Sequence, residues 1–148
     1  MKKNRASAII PYEDGLIVIR RIKGDNENRE EYYTIPGGGQ EEGESIEEAT
    51  LREIREELGI EVKLTDKCYE LESQGRKQYF FVAEYKSGKI GSGKGEEMTN
   101  INYEKYGAYI PEIKSENEIK NIRLLPKEIK DIIIADLNDI FKKEISKI

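Results

Sequence analysis

Gly38-Gly39-Gln40-Glu41-Glu42-Gly43-Glu44-Ser45-Ile46-Glu47-Glu48-Ala49-Thr50-Leu51-Arg52-Glu53-Ile54-Arg55-Glu56-Glu57-Leu58-Gly59-Ile60 is the stretch from which the rest of the chain can be read. Ser45 followed three residues later by Glu48 is a capping-box pattern. Hydroxyl and carboxylate can each bond a backbone N–H that the helix terminus leaves unpaired, so a helix is predicted to begin at Ser45, with Ile46 in its first turn. Gly59, free to turn left-handed, predicts its end. At about 100° per residue from Ile46, Thr50, Leu51, Ile54 and Leu58 fall between about 40° and 140° and form the packing stripe. Glu53, Glu56 and Glu57 fall near 340°, 280° and 20°, at the i, i+3, i+4 spacing that makes side chains neighbours.

Three like charges so placed disfavour a helix by roughly 0.2–0.5 kcal/mol per pair. Two explanations are open: a solvated charged face, as most Glu-rich helix faces are, or a divalent cation that reverses the sign of the effect. The charge is concentrated here. Residues 38–61 hold nine Glu and two Arg, a net −7, whereas the whole chain of 148 residues, with 25 Lys+Arg and 30 Asp+Glu, is only −5, so the remainder is +2.

The composition excludes several chemistries. With no His there is no Ser-His-Asp triad, Cys-His pair or imidazole metal site, and acid/base work falls to carboxylates, Lys or Tyr. The one thiol, Cys68, is read as a small buried hydrophobe and makes neither an internal disulfide nor a thiolate zinc site. The length predicts one domain around one core. The longest unbroken apolar run, 79–83, is too short for a membrane span, and the apolar stretch behind the basic start is cut off by Pro11, Glu13 and Asp14, which does not make a signal peptide. A reducing cytoplasm is the expected location. No long basic stripe invites nucleic acid.

Along the chain, strands are predicted at 6–12, 16–23, 32–35, 62–71, 76–86 and 107–110, the last ending at Pro111. Residues 24–30 and the glycine-rich 87–95 read as loops, and Pro36-Gly37-Gly38-Gly39 as a strand stop. A second helix is predicted over 126–143, with Pro126 in its first turn and Ile129, Ile132, Ile133, Leu137, Ile140 and Phe141 at helical spacing. Short strands interspersed with helices predict an α/β or α+β domain.

The stretch 38–60 also resembles the Nudix box, G-x5-E-x7-R-E-U-x-E-E-x-G-U with U a bulky aliphatic residue. All nine specified positions are filled: Gly38, Glu44, Arg52, Glu53, Ile54, Glu56, Glu57, Gly59 and Ile60. The element order, with Ile110-Pro111 before a C-terminal helix, is similar to the whole Nudix domain. The resemblance implies a single-domain α/β/α sandwich with a mixed central sheet, spanning 1–148. It implies hydrolysis of a nucleoside diphosphate linked to another group, with Mg²⁺ or Mn²⁺ as cofactor. By position, Glu53, Glu56 and Glu57 would ligate the metal, Glu53 doubling as base toward water. Arg52 would orient the glutamates and Glu44 would support the loop or the metal's surroundings. Gly38 would admit close backbone approach. Glu96 or Glu97, with Glu97 taken as the further metal ligand, and Arg20 and Lys94 as phosphate contacts, are candidates outside the box.

The first expected substrate is a (deoxy)nucleoside triphosphate cleaved to monophosphate and pyrophosphate. Dinucleoside polyphosphates, nucleotide sugars and a non-catalytic nucleotide-binding or regulatory module are the alternatives. The expected partners are a nucleotide-like small molecule, no nucleic acid and no membrane, and the resemblance allows a homodimer. Gly88-Lys89-Ile90-Gly91-Ser92-Gly93-Lys94 satisfies G-x4-G-K, but Gly95 stands where a P-loop needs Ser or Thr. Without Trp, base stacking falls to Tyr or Phe; Tyr12, Tyr32, Tyr33, Tyr79, Tyr106 and Tyr109 are candidates that serve equally as strand residues facing a core.

Overall fold

The residues of 15–23 alternate between two environments, and that alternation organises the molecule. Ile17 and Ile19 pack with Ala8, Ile10, Ile54 and Leu58, whereas Leu16 and Val18 pack with Ile9, Phe80, Val82 and Ile129. A strand presents successive side chains to opposite faces, so a chain apolar on both must be covered on both. The computed structural model describes residues 3–24, 27–73, 75–91 and 107–141. Its elements run β1 (Arg5–Ile9), β2 (Pro11–Tyr12), β3 (Gly15–Lys23), β4 (Glu30–Thr34), β5 (Gly37–Gly39), α1 (Ile46–Leu58), β6 (Ile60–Ser73), β7 (Arg76–Gly88) and β8 (Ala108–Ser115). The C-terminal part continues with α2 (Glu116–Asn121), β9 (Leu124–Leu125), α3 (Lys127–Ala135) and α4 (Leu137–Phe141).

The mixed pairing expected from the sequence is distributed over two sheets. One has the order β5-β1-β7-β6, with β1 parallel to β7 and the other pairs antiparallel. In the other, β3 pairs antiparallel with β2, β4 and β8, and β4 runs parallel to β9. Helix α1 covers one face of this layer; α2, α3 and α4 supply Ile119, Ile129, Ile133, Leu137 and Ile140 to the other. This is the α/β/α arrangement. Among the described residues no helix is long and apolar enough to cross a membrane.

Several boundaries depart from the sequence reading. The strand expected over 6–12 is two, because the chain passes from one sheet to the other between Ile9 and Pro11. The glycines at 37–39 form a strand antiparallel to β1. A Cβ on Gly37 would lie 2.3 Å from the Ala6 carbonyl oxygen and 2.4 Å from the Ser7 hydroxyl, so this close pairing requires glycine. Strand β8 continues through Pro111 to Ser115; among the described residues it pairs with β3 alone, and an edge of that kind needs no N–H from proline. Helix α2 was not expected, although Ser115 and Glu118 form the same reciprocal cap as Ser45 and Glu48. The helix expected over 126–143 breaks at Asp136, and Pro126 is its N-cap rather than part of its first turn. Tyr69 Oη donates to Asp136 at 2.8 Å, tying the break to β6. Residues 142–143 lie outside the described residues.

The helix α1 buries Ile54 completely between β1, β3 and β6. Ile54→Ala removes that side chain from a close-packed core and is expected to cost about 2–5 kcal/mol of unfolding free energy. Urea titration checks this as a lower midpoint at unchanged slope.

Candidate active site

Helix α1 carries the glutamates, and its geometry follows the sequence closely. Ser45 Oγ accepts from the Glu48 amide at 3.0 Å, Glu48 Oε1 accepts from the Ser45 amide at 2.8 Å, and Gly59 closes the helix at φ 76°. The buried face is wider than the apolar stripe. Ala49, Glu53 and Glu57 form a second buried column beside Thr50, Ile54 and Leu58, whereas Glu56 is exposed. Of the three neighbouring glutamates, two do not lie on a solvated charged face. Glu53 is 8 % exposed and Glu57 is 4 % exposed.

Buried carboxylates need partners. The Gly37 amide donates to Glu57 Oε1 at 3.0 Å. Glu53 lies against Gly38, where a Cβ would fall 2.3 Å from Oε2, so only glycine leaves room for the carboxylate. The remaining contacts converge on Arg52. Its Nε and Nη2 donate to the two oxygens of Glu44 at 2.7 and 3.0 Å, and Nη2 also donates to the Gly39 carbonyl at 3.0 Å. Nη1 donates to Glu53 at 2.9 Å and to Glu56 at 3.1 Å. The guanidinium has five N–H groups, and these five bonds use all of them. Hydrogen bonding to Glu44 is the main reason the Arg52 pKa is raised. The same bond, helped by the Glu41 amide, holds the Glu44 carboxyl down at about 2.

Arg20 stands apart from this cluster. It is bonded to Glu31 at 2.7 Å and lies 3.6 Å from Glu112, and strand alternation puts it on the α2–α4 face together with Leu16 and Val18. Its neighbour Arg21 is on the α1 face, its guanidinium 3.5 Å from the Tyr109 ring centroid. Lys94, Glu96 and Glu97 lie outside the described residues. Cys68, expected to be buried, is exposed on β6. Sequence reasoning missed the Gly37 amide, a backbone group with no side-chain signal. It also missed Arg5, whose burial pushes its pKa down while Glu57 and Glu53 oppose that shift.

Comparison with known proteins settles what this arrangement belongs to. The NUDIX domain profile matches residues 1–143. The chain belongs to the Nudix family. Nucleoside triphosphatase NudI of Escherichia coli is 45% identical over 53 residues, 36% of this chain and 38% of that protein, so the match spans well under half of the relative. A Nudix-family hydrolase from Clostridium perfringens superposes with a TM-score of 0.65 at 17% identity, over 95% of this chain and 98% of the other. A NUDIX hydrolase from Nitrosomonas europaea gives 0.64 at 18% identity, over 93% and 90%. These likenesses show the fold. Two of the solved neighbours are themselves named as Nudix hydrolases, and the family generally uses divalent cations.

The donor set can be tested for such a cation. Among the described residues no three His, Cys, Asp or Glu side chains gather closely enough to enclose an ion. Mg²⁺ does not require that: it is commonly held by one or two carboxylates, with water and substrate phosphate completing its shell. Glu53 and Glu57, hard oxygen donors buried beside glycine backbone, fit that requirement.

The Glu44 pKa sets a sign for acid stability. Its folded value of about 2 lies below the ordinary 4.5, so its contribution is present above pH 4.5 and is lost as pH falls toward 2. Glu44→Gln is expected to lose stability at pH 7 and to flatten the acid limb of a stability-versus-pH curve measured by urea titration.

Proposed function

We propose that residues 1–148 act as one Nudix hydrolase domain that cleaves a phosphoanhydride bond of a nucleoside diphosphate linked to another group, most simply a (deoxy)nucleoside triphosphate giving monophosphate and pyrophosphate. The observation that carries this reading is the Arg52 hub, which fixes Glu53 against Gly38 while the Gly37 amide fixes Glu57. The name of the Escherichia coli relative, a nucleoside triphosphatase, supports the triphosphate choice.

In this reading a water oxygen bonds to phosphorus as the bridging P–O bond breaks, and pyrophosphate leaves. Glu53 takes the proton of the water. Its Oε1 is pinned by Arg52, which keeps the carboxylate from rotating away from the reacting atoms. Glu57 and Glu53 would hold the cation, with Glu56 at the exposed edge of the same set and Glu97, outside the described residues, the expected further ligand. A divalent cation, when bound, would neutralise charge on the phosphoryl oxygens and acidify water. Glu44 acts through Arg52, and Arg52 through Glu53; both are positioning residues.

Phosphate or pyrophosphate release from a nucleotide panel in Mg²⁺ tests the reading. Glu53→Gln is expected to lower kcat by about a hundredfold or more, the scale on which general base catalysis acts. Glu57→Gln is expected to abolish the rise in melting temperature that Mg²⁺ gives the wild type. Full activity in Glu57→Gln overturns the metal assignment. Nucleotide binding without turnover, alike in wild type and variants, would establish a sensor instead.

A further inference from the structure

A cavity of about 350 Å³ lies at the far end of β7 from the glutamates. Glu53 and Glu57 meet β5 level with Ala6 and Ser7, and Ser7 pairs with Phe80, whereas the cavity is lined by β7 from Val82 to Tyr85. Val82, Ile140 and Phe141 wall it on the α2–α4 side of the layer. A register shift between Leu64 and Cys68 makes room for it, where β6 leaves β7 and Thr65 lines the space. The Thr65 hydroxyl is already spent, donating to the Val82 carbonyl at 2.7 Å and accepting from the Lys67 amide at 3.1 Å.

The walls combine rings with carboxylates. Tyr12 and Tyr85 meet edge to face with centroids 4.9 Å apart, the Tyr85 hydroxyl donates to the Gly88 carbonyl, and Phe141 brings a third ring. No Lys or Arg is among the described residues that line the cavity, whereas Glu13 and Glu84 both are. Glu84 has Lys86 3.2 Å away; Glu13 makes no ion pair among the described residues.

Glu13 is also held at a cost. Glu13 and Asp14 form the two-residue turn that joins Tyr12 to Gly15, and Glu13 has φ 52°, the one positive value among the described non-glycine residues. Glycine is the residue that such a turn accepts without strain. Keeping a carboxylate there, at the mouth of a ring-walled cavity, is explained by something the carboxylate meets.

Aromatic faces and a carboxylate attract the same thing, a cation with little water around it. A primary ammonium has three N–H groups to satisfy, and the Thr65 oxygen is taken. A methylated ammonium makes no such demand, and the volume is within the range of small-ligand sites. We propose that this cavity is a second ligand site, distinct from the hydrolytic one, for a small organic cation with a methylated ammonium group, held by Glu13 and the rings of Tyr12, Tyr85 and Phe141.

The test titrates the full chain, labelled with ¹⁵N, with choline and with its uncharged carbon isostere 3,3-dimethylbutan-1-ol, following amide shifts. Choline is expected to give saturable shifts centred on Thr65, Glu84, Tyr85 and Phe141, half-complete at about 1 mM or below. The isostere is expected to bind at least about fivefold more weakly. Phe141→Leu, which keeps an apolar wall but removes the ring, is expected to weaken choline by roughly two- to thirtyfold, with Tyr12→Leu as the second ring variant. Glu13→Gly is expected to lose affinity while its melting temperature stays the same or rises, a split that a mere turn residue would not show.

Equal binding of choline and the isostere overturns the proposal, as do shifts centred on Glu53 and Glu57 or unchanged affinity in Glu13→Gly. Absence of saturable shifts in the wild type overturns it too. Lys142 and Lys143 follow Phe141 and lie outside the described residues; choline binding that emerges only in Lys142→Ser/Lys143→Ser would make the chain's own lysines the occupant and overturn an external ligand.

Discussion

One guanidinium fixes the geometry on which the rest of the site depends. Arg52 spends every N–H it has on Glu44, Glu53, Glu56 and the Gly39 carbonyl, and thereby joins the loop before α1, the helix and strand β5 into a single unit. Its planar fork takes both oxygens of Glu44 at once, which a lysine ammonium cannot imitate. Because the Gly39 carbonyl is among its partners, the position of the arginine and the register of β5 against β1 are one constraint. That register in turn brings Gly38 against Glu53 and points the Gly37 amide at Glu57.

The local negative charge that stands out in the composition therefore has a divided meaning. Glu47 and Glu48 serve the positive end of the helix dipole, and Glu48 closes the cap. Glu41 pairs with Lys3, and Glu61 with Arg55. Glu53 and Glu57 are drawn inward, where Arg52 meets Glu53 and the Gly37 amide meets Glu57. A helix carrying like charges at these positions is tolerable because the surroundings were built to meet them.

Where local chemistry determined the outcome, the sequence was legible. Ser45, Glu48 and Gly59 specify both ends of α1 by hydrogen bonds within a few residues, and the element order followed from runs of β-branched and aromatic residues. The same chemistry marks α2 at Ser115 and Glu118, a readable signal that the sequence reading passed over. What could not be read depends on pairings between distant strands. The pairing of Arg5 with Gln78 exists only through the parallel register of β1 and β7, and the burial of Glu53 and Glu57 only through β5 crossing beside them. The break at Asp136 likewise carries a bond to Tyr69, sixty-seven positions earlier, that no local pattern announces.

Strand β5 lies at the margin of its sheet, and a margin is where one protein molecule can add its backbone to another. Its exposure is kept small by having three residues and no side chains, and the Gly37 amide, bonded to Glu57, is withheld from any incoming chain. The carboxylate proposed to hold the cation thus also occupies a backbone donor at the margin of the sheet, so one side chain serves both places.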